Sequence, residues 1–296
     1  MTGVNGWLVL DKPLGLSSAQ GVAAVKRILR GIGIRPDRIG HGGTLDPLAT
    51  GVLPIAIGEA TKLAGRMLDA TKGYDFTVQW GTATATEDAE GAVTATSDVR
   101  PDDAAIRATL PRFTGPIDQV PPAYSAIKVD GQRAYALARA GETVELAMRH
   151  VTILSLDLLA TTPDSATFSA IVSKGTYIRS LARDIALALG TVGHVTMLRR
   201  TRAGPFRLDQ AISLDKFESL VQERALEQVL LPLMAGLDDI PALAIDPEQA
   251  AALRQGRRLF GHPALPGTYL ACLGAVPVAL VEIDPEAVRV VRGFNL

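Results

Sequence analysis

The chain has 296 residues, 47% of them hydrophobic and 21% charged, which is enough to bury one large core, or a large and a small one, and too apolar for a disordered chain. Cys272 is the single cysteine, which excludes an internal disulfide and a cysteine-built zinc site. Thirty basic residues against thirty-one acidic ones give a formal charge of −1, so the overall basic balance that marks many nucleic-acid binders is absent.

Trp7 to Leu10 reads as a short strand closed by Asp11-Lys12-Pro13-Leu14-Gly15. Ser17 and Gln20 have the spacing of a capping box. The helix that follows carries Val22, Val25, Ile28 and Leu29 on its apolar side and stops at Gly31 and Gly33. Tyr74 to Trp80 alternates apolar with polar residues between Gly73 and Gly81, the period of a half-buried strand. Ala166 to Ser173 is a second strand. Lys174-Gly175-Thr176 turns it into a helix whose buried stripe is Ile178, Leu181, Ala182, Ile185 and Leu189, capped near Gly190. Arg179 and Arg183 share another face of that helix, four residues apart. Asp238 to Pro241 reads as a linker, Pro247 to Gln255 as a short helix, and Gly267 to Val291 as short strands, together a small strand-rich C-terminal module. Strands and helices follow one another without βαβ regularity, which favours an α+β fold. The longest nearly apolar run, Tyr269 to Val281, is broken by Gly274 and Pro277 and is too short to cross a bilayer. No basic stretch followed by an apolar one opens the chain, so no signal peptide is expected and the cytoplasm is the expected compartment.

Charge is clustered. Lys26, Arg27, Arg30, Arg35 and Arg38 form one basic group, Arg199, Arg200 and Arg202 a second, and Arg254, Arg257 and Arg258 a third. Acidic residues gather at Glu87 to Glu90 and Asp98 to Asp103. Each run by itself reads as a solvated face.

Gly40 to Pro54 (GHGGTLDPLATGVLP) places one carboxylate, Asp46, among glycines, small residues and two prolines. Pro47 biases Asp46 away from helix, and the glycines allow close approach of the backbone to a partner. Loop chemistry alone favours a turn in which Asp46 bonds neighbouring N–H groups; a carboxylate presented at the wall of a cleft is the alternative.

Ordered blocks decide between the two. GWLVLDKPLGLSS (6–18), GHGGTLDPLATGVLP (40–54), GEATK (58–62), KGY (72–74), TATEDAEG (84–91), QVPPAYSAIK (119–128), KGTYIR (174–179) and LRRT (198–201) follow one another along residues 6–206. In that order they resemble the TruB-type tRNA pseudouridine synthases. The resemblance implies a pseudouridine-synthase fold, a mixed and mainly antiparallel sheet flanked by helices, over residues 1–240. Within it an insertion at about 121–149 closes on RNA, with a turn at Asp130-Gly131 and basic charge from Lys128, Arg133 and Arg139. Residues 241–296 would form an RNA-binding-like, PUA-like module.

It further implies isomerisation of uridine in the tRNA T-loop, at position 55, on an extruded base and without metal or other cofactor. Asp46 would be the catalytic aspartate, Arg179 the arginine that pairs with it, and Tyr74 the active-site tyrosine that stacks on the base. His41 would lie near the target nucleotide, and Leu198 and Tyr177 would line the pocket. Lys12, Lys62, Lys128, Arg199, Arg200 and Arg202 are candidate phosphate contacts. The family's common His-Thr-Gly-Ala before Leu-Asp is here His-Gly-Gly-Thr, a change among small residues beside His41. The expected partner is the T-arm of tRNA, with no membrane and no obligate protein, the chain acting as a monomer. The alternative is a tRNA-binding or tRNA-folding protein in which modification is secondary. A glycosidase would call for a second acid/base carboxylate, and no comparable motif supplies one.

Overall fold

The computed structural model describes residues 4–125, 127–129, 131–142, 144, 146–237 and 239–296, with Lys128 and Arg133 described by their backbone alone. Asp130 of the expected turn and Asp238 of the expected linker lie outside the described residues, as do Ala126, Thr143 and Glu145 within or beside the expected insertion.

The chain opens with β1 (Gly6–Lys12), α1 (Ser18–Gly31), β2 (Ile39–His41) and β3 (Ala49–Ile57). Next come α2 (Ala64–Asp69), β4 (Lys72–Trp80) and the hairpin of β5 (Thr82–Thr84) with β6 (Val93–Thr96). α3 (Asp103–Thr109) and β7 (Gly115–Gln119) precede a second, minimal hairpin of β8 (Lys128–Val129) and β9 (Gln132–Arg133), and then α4 (Ala134–Arg139). Long strands β10 (Arg149–Thr162) and β11 (Ser165–Val172) lead to α5 (Ile178–Ala188), β12 (Gly193–Ala203), β13 (Phe206–Arg207) and α6 (Leu214–Gln222). The C-terminal part comprises β14 (Ala242–Ala244), α7 (Pro247–Arg254), β15 (Leu259–Phe260), β16 (Gly267–Leu273), β17 (Val276–Ile283) and β18 (Ala287–Gly293).

The main sheet runs β1-β3-β12-β4-β11-β10-β7, with β2 on β3 and β13 on β12. Its pairs are antiparallel except β3 with β12, whose register sets Leu198 beside Ala49, Arg199 beside Thr50 and Arg200 beside Gly51. The expected mixed sheet is therefore present, and its one parallel seam lies at the candidate site. The alternation read from 74–80 is real: Phe76, Val78 and Trp80 are buried, and Phe76 stacks on Phe168 of β11 with ring centroids 5.3 Å apart. α5 lays Ile178, Leu181, Ala182 and Ile185 on this face. Burying each large side chain there is worth roughly 1.5–3 kcal/mol.

β1 and β3 are covered on both sides. Leu8, Leu10, Leu53, Ile55 and Ile57 face α1 and α6, packing on Val25, Leu29, Phe217 and Val221. The opposite residues, Trp7, Val9, Val52 and Ala56, meet Leu63, Met67, Phe206, Leu233 and Leu237. The second sheet, β14-β16-β17-β18-β15, brings Leu270, Cys272 and Leu280 to that same cluster. Of the described residues in the segment read as a linker, Asp239 and Pro241 are exposed and Ile240 packs against the cluster. α1 begins with the complete capping box of Ser17 and Gln20. Among the described residues no helix is long and apolar enough to cross a membrane.

Candidate active site

Asp46 lies in the connection between β2 and β3, and five successive carbonyls of that connection are held from outside or by the turn itself. Arg200 donates from its two amino groups to the carbonyls of Gly43 (3.3 Å) and Thr44 (3.2 Å), and from Nε to that of Val52 (2.7 Å). The Ser18 hydroxyl, at the start of α1, donates to the carbonyl of Leu45 (3.1 Å) and accepts from its N–H (2.7 Å). The Asp46 carbonyl accepts from the N–H of Ala49 at 3.0 Å, and the Pro47 carbonyl from the N–H of Gly15 at 2.8 Å and from Lys12 Nζ at 3.3 Å. A loop with its polar backbone satisfied in this way has one conformation. Two glycines make room for it. A Cβ on Gly42 would sit 2.7 Å from Cβ of Met67, and one on Gly51, whose φ is +99°, only 2.2 Å from the carbonyl oxygen of Arg200.

From this frame the Asp46 carboxylate projects with 42% of its side chain exposed, 3.1 Å from Nη2 of Arg179. Arg179 is itself buried. Its Nη1 donates to the carbonyl of Thr86 (2.8 Å) and lies 3.5 Å from Oδ2 of Asp88, while Nη2 also donates to the carbonyl of Tyr124 (3.0 Å). Asp88 is buried in turn, accepting from the Thr86 hydroxyl and from the N–H of Glu90 at 3.1 Å. A guanidinium anchored at three other points can hold one carboxylate in one orientation. Asp46 is thus the exposed end of an ion-pair chain whose other members are sealed.

Tyr74 stands on β4 opposite Arg200 of β12 and Ala170 of β11, half-buried between the two core clusters. Leu198, on β12 opposite Phe76, is half-buried between the same clusters. Tyr177 precedes α5, and burial pushes its phenol above the usual tyrosine range. Its backbone is gripped by Gln119, whose amide accepts from the Tyr177 N–H (2.8 Å) and donates to its carbonyl (3.1 Å). His41 ends β2; burial, then the neighbouring Arg200 charge, push its imidazole below the usual histidine range. Its Nδ1 is buried and has no hydrogen-bond partner among the described residues.

The candidate phosphate contacts divide. Lys12 and Arg200 are 0% and 1% exposed, so no phosphate can touch them as they stand; the sequence reading of these two as phosphate contacts is corrected. Lys12 Nζ donates to the carbonyls of Pro13 (3.0 Å), Leu16 (2.6 Å) and Pro47, and burial lowers its pKa to about 8 although the nearby Asp46 opposes the shift. Both cations build the floor of the Asp46 loop. Lys62 is paired with Glu59 at 2.6 Å and donates to the carbonyl of Gly293 at 2.9 Å, joining the first sheet's surroundings to the second. Arg199 makes a two-pronged pair with Asp11 (3.1 and 2.9 Å), and Arg202 Nε donates to the carbonyl of Gly204 at 2.8 Å. The Lys128 side chain lies outside what is described.

Sequence reading passed over Asp88, Glu87, Gln119 and Ser18 as functional groups, treating Glu87 to Glu90 as a solvated run. Glu87 instead is held by Arg183 and the Ser180 hydroxyl, and burial pushes its carboxyl above the usual range. The signal was present: a carboxylate spacing inside an ordered block, and Arg179, Ser180 and Arg183 on one face of a helix. Among the described residues no cluster of three or more histidine, cysteine, aspartate or glutamate side chains could hold a metal ion.

The TruB family pseudouridylate synthase N-terminal domain matches residues 26–178, and the tRNA pseudouridylate synthase B C-terminal domain matches residues 179–238. The chain is 65% identical to tRNA pseudouridine synthase B of Novosphingobium aromaticivorans, covering 99% of this chain and 98% of the relative. It is 54% identical to that of Zymomonas mobilis, covering 99% and 96%. Among solved structures, a chain of a Cbf5-Nop10-Gar1 complex aligns at 27% identity with a TM-score of 0.75, covering 98% of this chain and 85% of that one. A chain of an H/ACA RNP bound to a substrate RNA containing 2′-deoxyuridine aligns over the same shares at 25% identity and the same TM-score. With its fold, its ordered motifs and its full-length relatives in agreement, the chain belongs to the TruB family of pseudouridylate synthases.

Proposed function

We propose that this protein isomerises uridine to pseudouridine in the T-loop of tRNA, at position 55, with Asp46 as the catalytic carboxylate. The observation that carries the reading is the half-exposed Asp46 carboxylate held 3.1 Å from a sealed Arg179, in a chain whose full-length relatives are tRNA pseudouridine synthases. The uracil leaves ribose C1′ through N1, turns, and rejoins through C5; C5 loses a proton and N1 gains one. An ionised carboxylate at the sugar face serves that sequence either by adding to the substrate or by taking a proton, and Arg179 fixes its orientation. Tyr74 and Leu198 supply an aromatic and an apolar surface for a base that has left its stack. Tyr177 and His41 extend the wall, His41 as a neutral imidazole.

Arg199 and Arg202, half-buried with exposed reach, and Lys62 and Lys128 are proposed to meet the RNA backbone. The segment 121–149 would close over the arm, and the module 241–296 would act as a PUA-like RNA-binding extension. The protein would work as a monomer in the cytoplasm, without an obligate partner. The test is incubation with an unmodified tRNA transcript and nucleotide-resolved mapping of pseudouridine. Wild type should convert one T-loop uridine, and Asp46→Asn none within at least ten wild-type half-times. Substantial conversion by D46N would refute the assignment of Asp46.

A further inference from the structure

A cavity lies just beyond the Tyr74–Arg200 pair, at the Lys72–Ala203 end of β4 and β12. It holds about 410 Å³ between the end of α2, the β12–β13 turn, Gly236 and Asp239. Met67, Ala70 and Pro205 give it an apolar wall, and Arg66, Arg202 and Asp69 bring charge to it. The arginine arrangement is incomplete. Arg66 Nη2 pairs with Asp239 at 3.0 Å, while its Nε, buried, has no hydrogen-bond partner among the described residues. Nε and Nη2 form the edge of a guanidinium that takes two oxygens of one carboxylate or phosphate side by side, and here that edge is half used.

The acids at this cavity are loosely held. Asp239 is 67% exposed, and Asp69 pairs with Lys174 at 2.8 Å through two equally exposed side chains. Exposed pairs of this kind contribute little and exchange readily for a better anion. Removing Asp239 from Arg66 would leave two arginines, Arg66 and Arg202, lining an apolar-walled space large enough for a nucleoside. Position ties the cavity to the proposed site. Arg202 is the cross-strand neighbour of Gly73, which precedes Tyr74, and it stands four residues, roughly 13 Å, along β12 from Leu198.

We propose that this cavity is a second nucleotide subsite: a phosphodiester flanking the target uridine displaces Asp239 and takes the Nε/Nη2 edge of Arg66, with its nucleoside against Met67 and Pro205. The proposal rests on the tRNA reading above. The experiment measures equilibrium binding of a T-arm hairpin already carrying pseudouridine at the target, so that no turnover accompanies binding, by fluorescence anisotropy across a salt series. Arg66→Gln should raise Kd about five- to tenfold and flatten the logarithmic salt slope by about 0.7–0.9, the loss of one phosphate contact. Asp239→Asn, which frees the arginine, should bind as tightly as wild type or tighter. Arg107→Gln, on α3, should bind like wild type.

Hairpins carrying one neutral methylphosphonate linkage locate the phosphate: a single linkage within two nucleotides of the target should weaken wild type and leave R66Q no weaker than before. Wild-type affinity and slope in R66Q would overturn the proposal. A loss in D239N equal to that in R66Q would also overturn it, because the pair would then be a brace between segments. So would an equal loss in R107Q, or equal sensitivity of both proteins at every linkage. Wild type that neither binds the hairpin nor modifies tRNA would unseat the reading beneath it, an outcome distinct from wild type that does both while R66Q matches it.

Discussion

Asp88→Asn separates a positioning chain from a simple scaffold. The substitution keeps the size of the side chain and its Oδ1 acceptor for the Thr86 hydroxyl and the Glu90 N–H, and replaces the charged Oδ2, 3.5 Å from Arg179 Nη1, by an uncharged NH2 that cannot accept from the guanidinium. At an effective dielectric of about 20, two unit charges at that separation attract by roughly 4–5 kcal/mol. Desolvation of both groups offsets much of this, and Arg179 keeps its two carbonyls and Asp46, so a net loss of about 1.5–3 kcal/mol is expected. If that loss appears as misplacement of Arg179, and through it of Asp46, the chemical step slows by about 10- to 100-fold. Asp88 is buried and touches no RNA directly, so affinity for tRNA should stay within about twofold of wild type. Single-turnover conversion of a tRNA transcript at saturating enzyme reads the first quantity and filter binding the second. A D88N rate within threefold of wild type, or a rate deficit that vanishes when RNA is saturating, would refute the reasoning.

Two further outcomes follow from the same geometry. Gly51→Ala drives a Cβ to 2.2 Å from the Arg200 carbonyl at a φ of +99°; urea unfolding should show a loss of more than about 3 kcal/mol, and a loss under 1 kcal/mol would mean that the parallel seam yields easily. Lys72, like Lys12, is buried with carbonyl partners, those of Leu68 and Ala70, and burial lowers its pKa to about 8 from 10.5. Between those two values the unfolded chain keeps a proton that the folded one has released, so this group makes stability rise with pH from about 8 toward 10.5 and is unfavourable to folding below 8. The difference in unfolding free energy between wild type and Lys72→Met, measured from pH 7.5 to 10, should therefore move in favour of wild type as pH rises; a difference independent of pH would show that the ammonium is not penalised in the fold.

Much of the architecture was legible because it is local. The Ser17–Gln20 box, the alternation through Phe76, Val78 and Trp80, and the stripe of Ile178, Leu181 and Ile185 all lie within a few residues, where sequence spacing and side-chain direction are tied by backbone geometry. Asp46, Tyr74 and Arg179 could be singled out because each lies in an ordered block of a resembled family. The local rule for a charged side chain, that it faces water, failed for Lys12, Lys72, Arg200 and Asp88. Each is satisfied by groups far away in sequence: Arg200 by the carbonyls of Gly43, Thr44 and Val52, and Asp88 by Arg179.

The sequence by itself determined the elements whose signals are local, among them β1, α1, β4, β11 and α5, and that one carboxylate sits in a constrained glycine- and proline-rich turn. Only the tertiary structure decided what that turn does. The parallel seam of β3 and β12 brings Arg200 beneath the loop, α1 brings Ser18 to Leu45, and α5 brings Arg179 to Asp46. An isolated turn can use its carboxylate only on its own backbone; here that backbone is satisfied from outside, so the carboxylate is left facing solvent with a fixed partner. Long-range hydrogen bonding, which no window of the chain contains, turns an ordinary aspartate turn into a candidate catalytic centre.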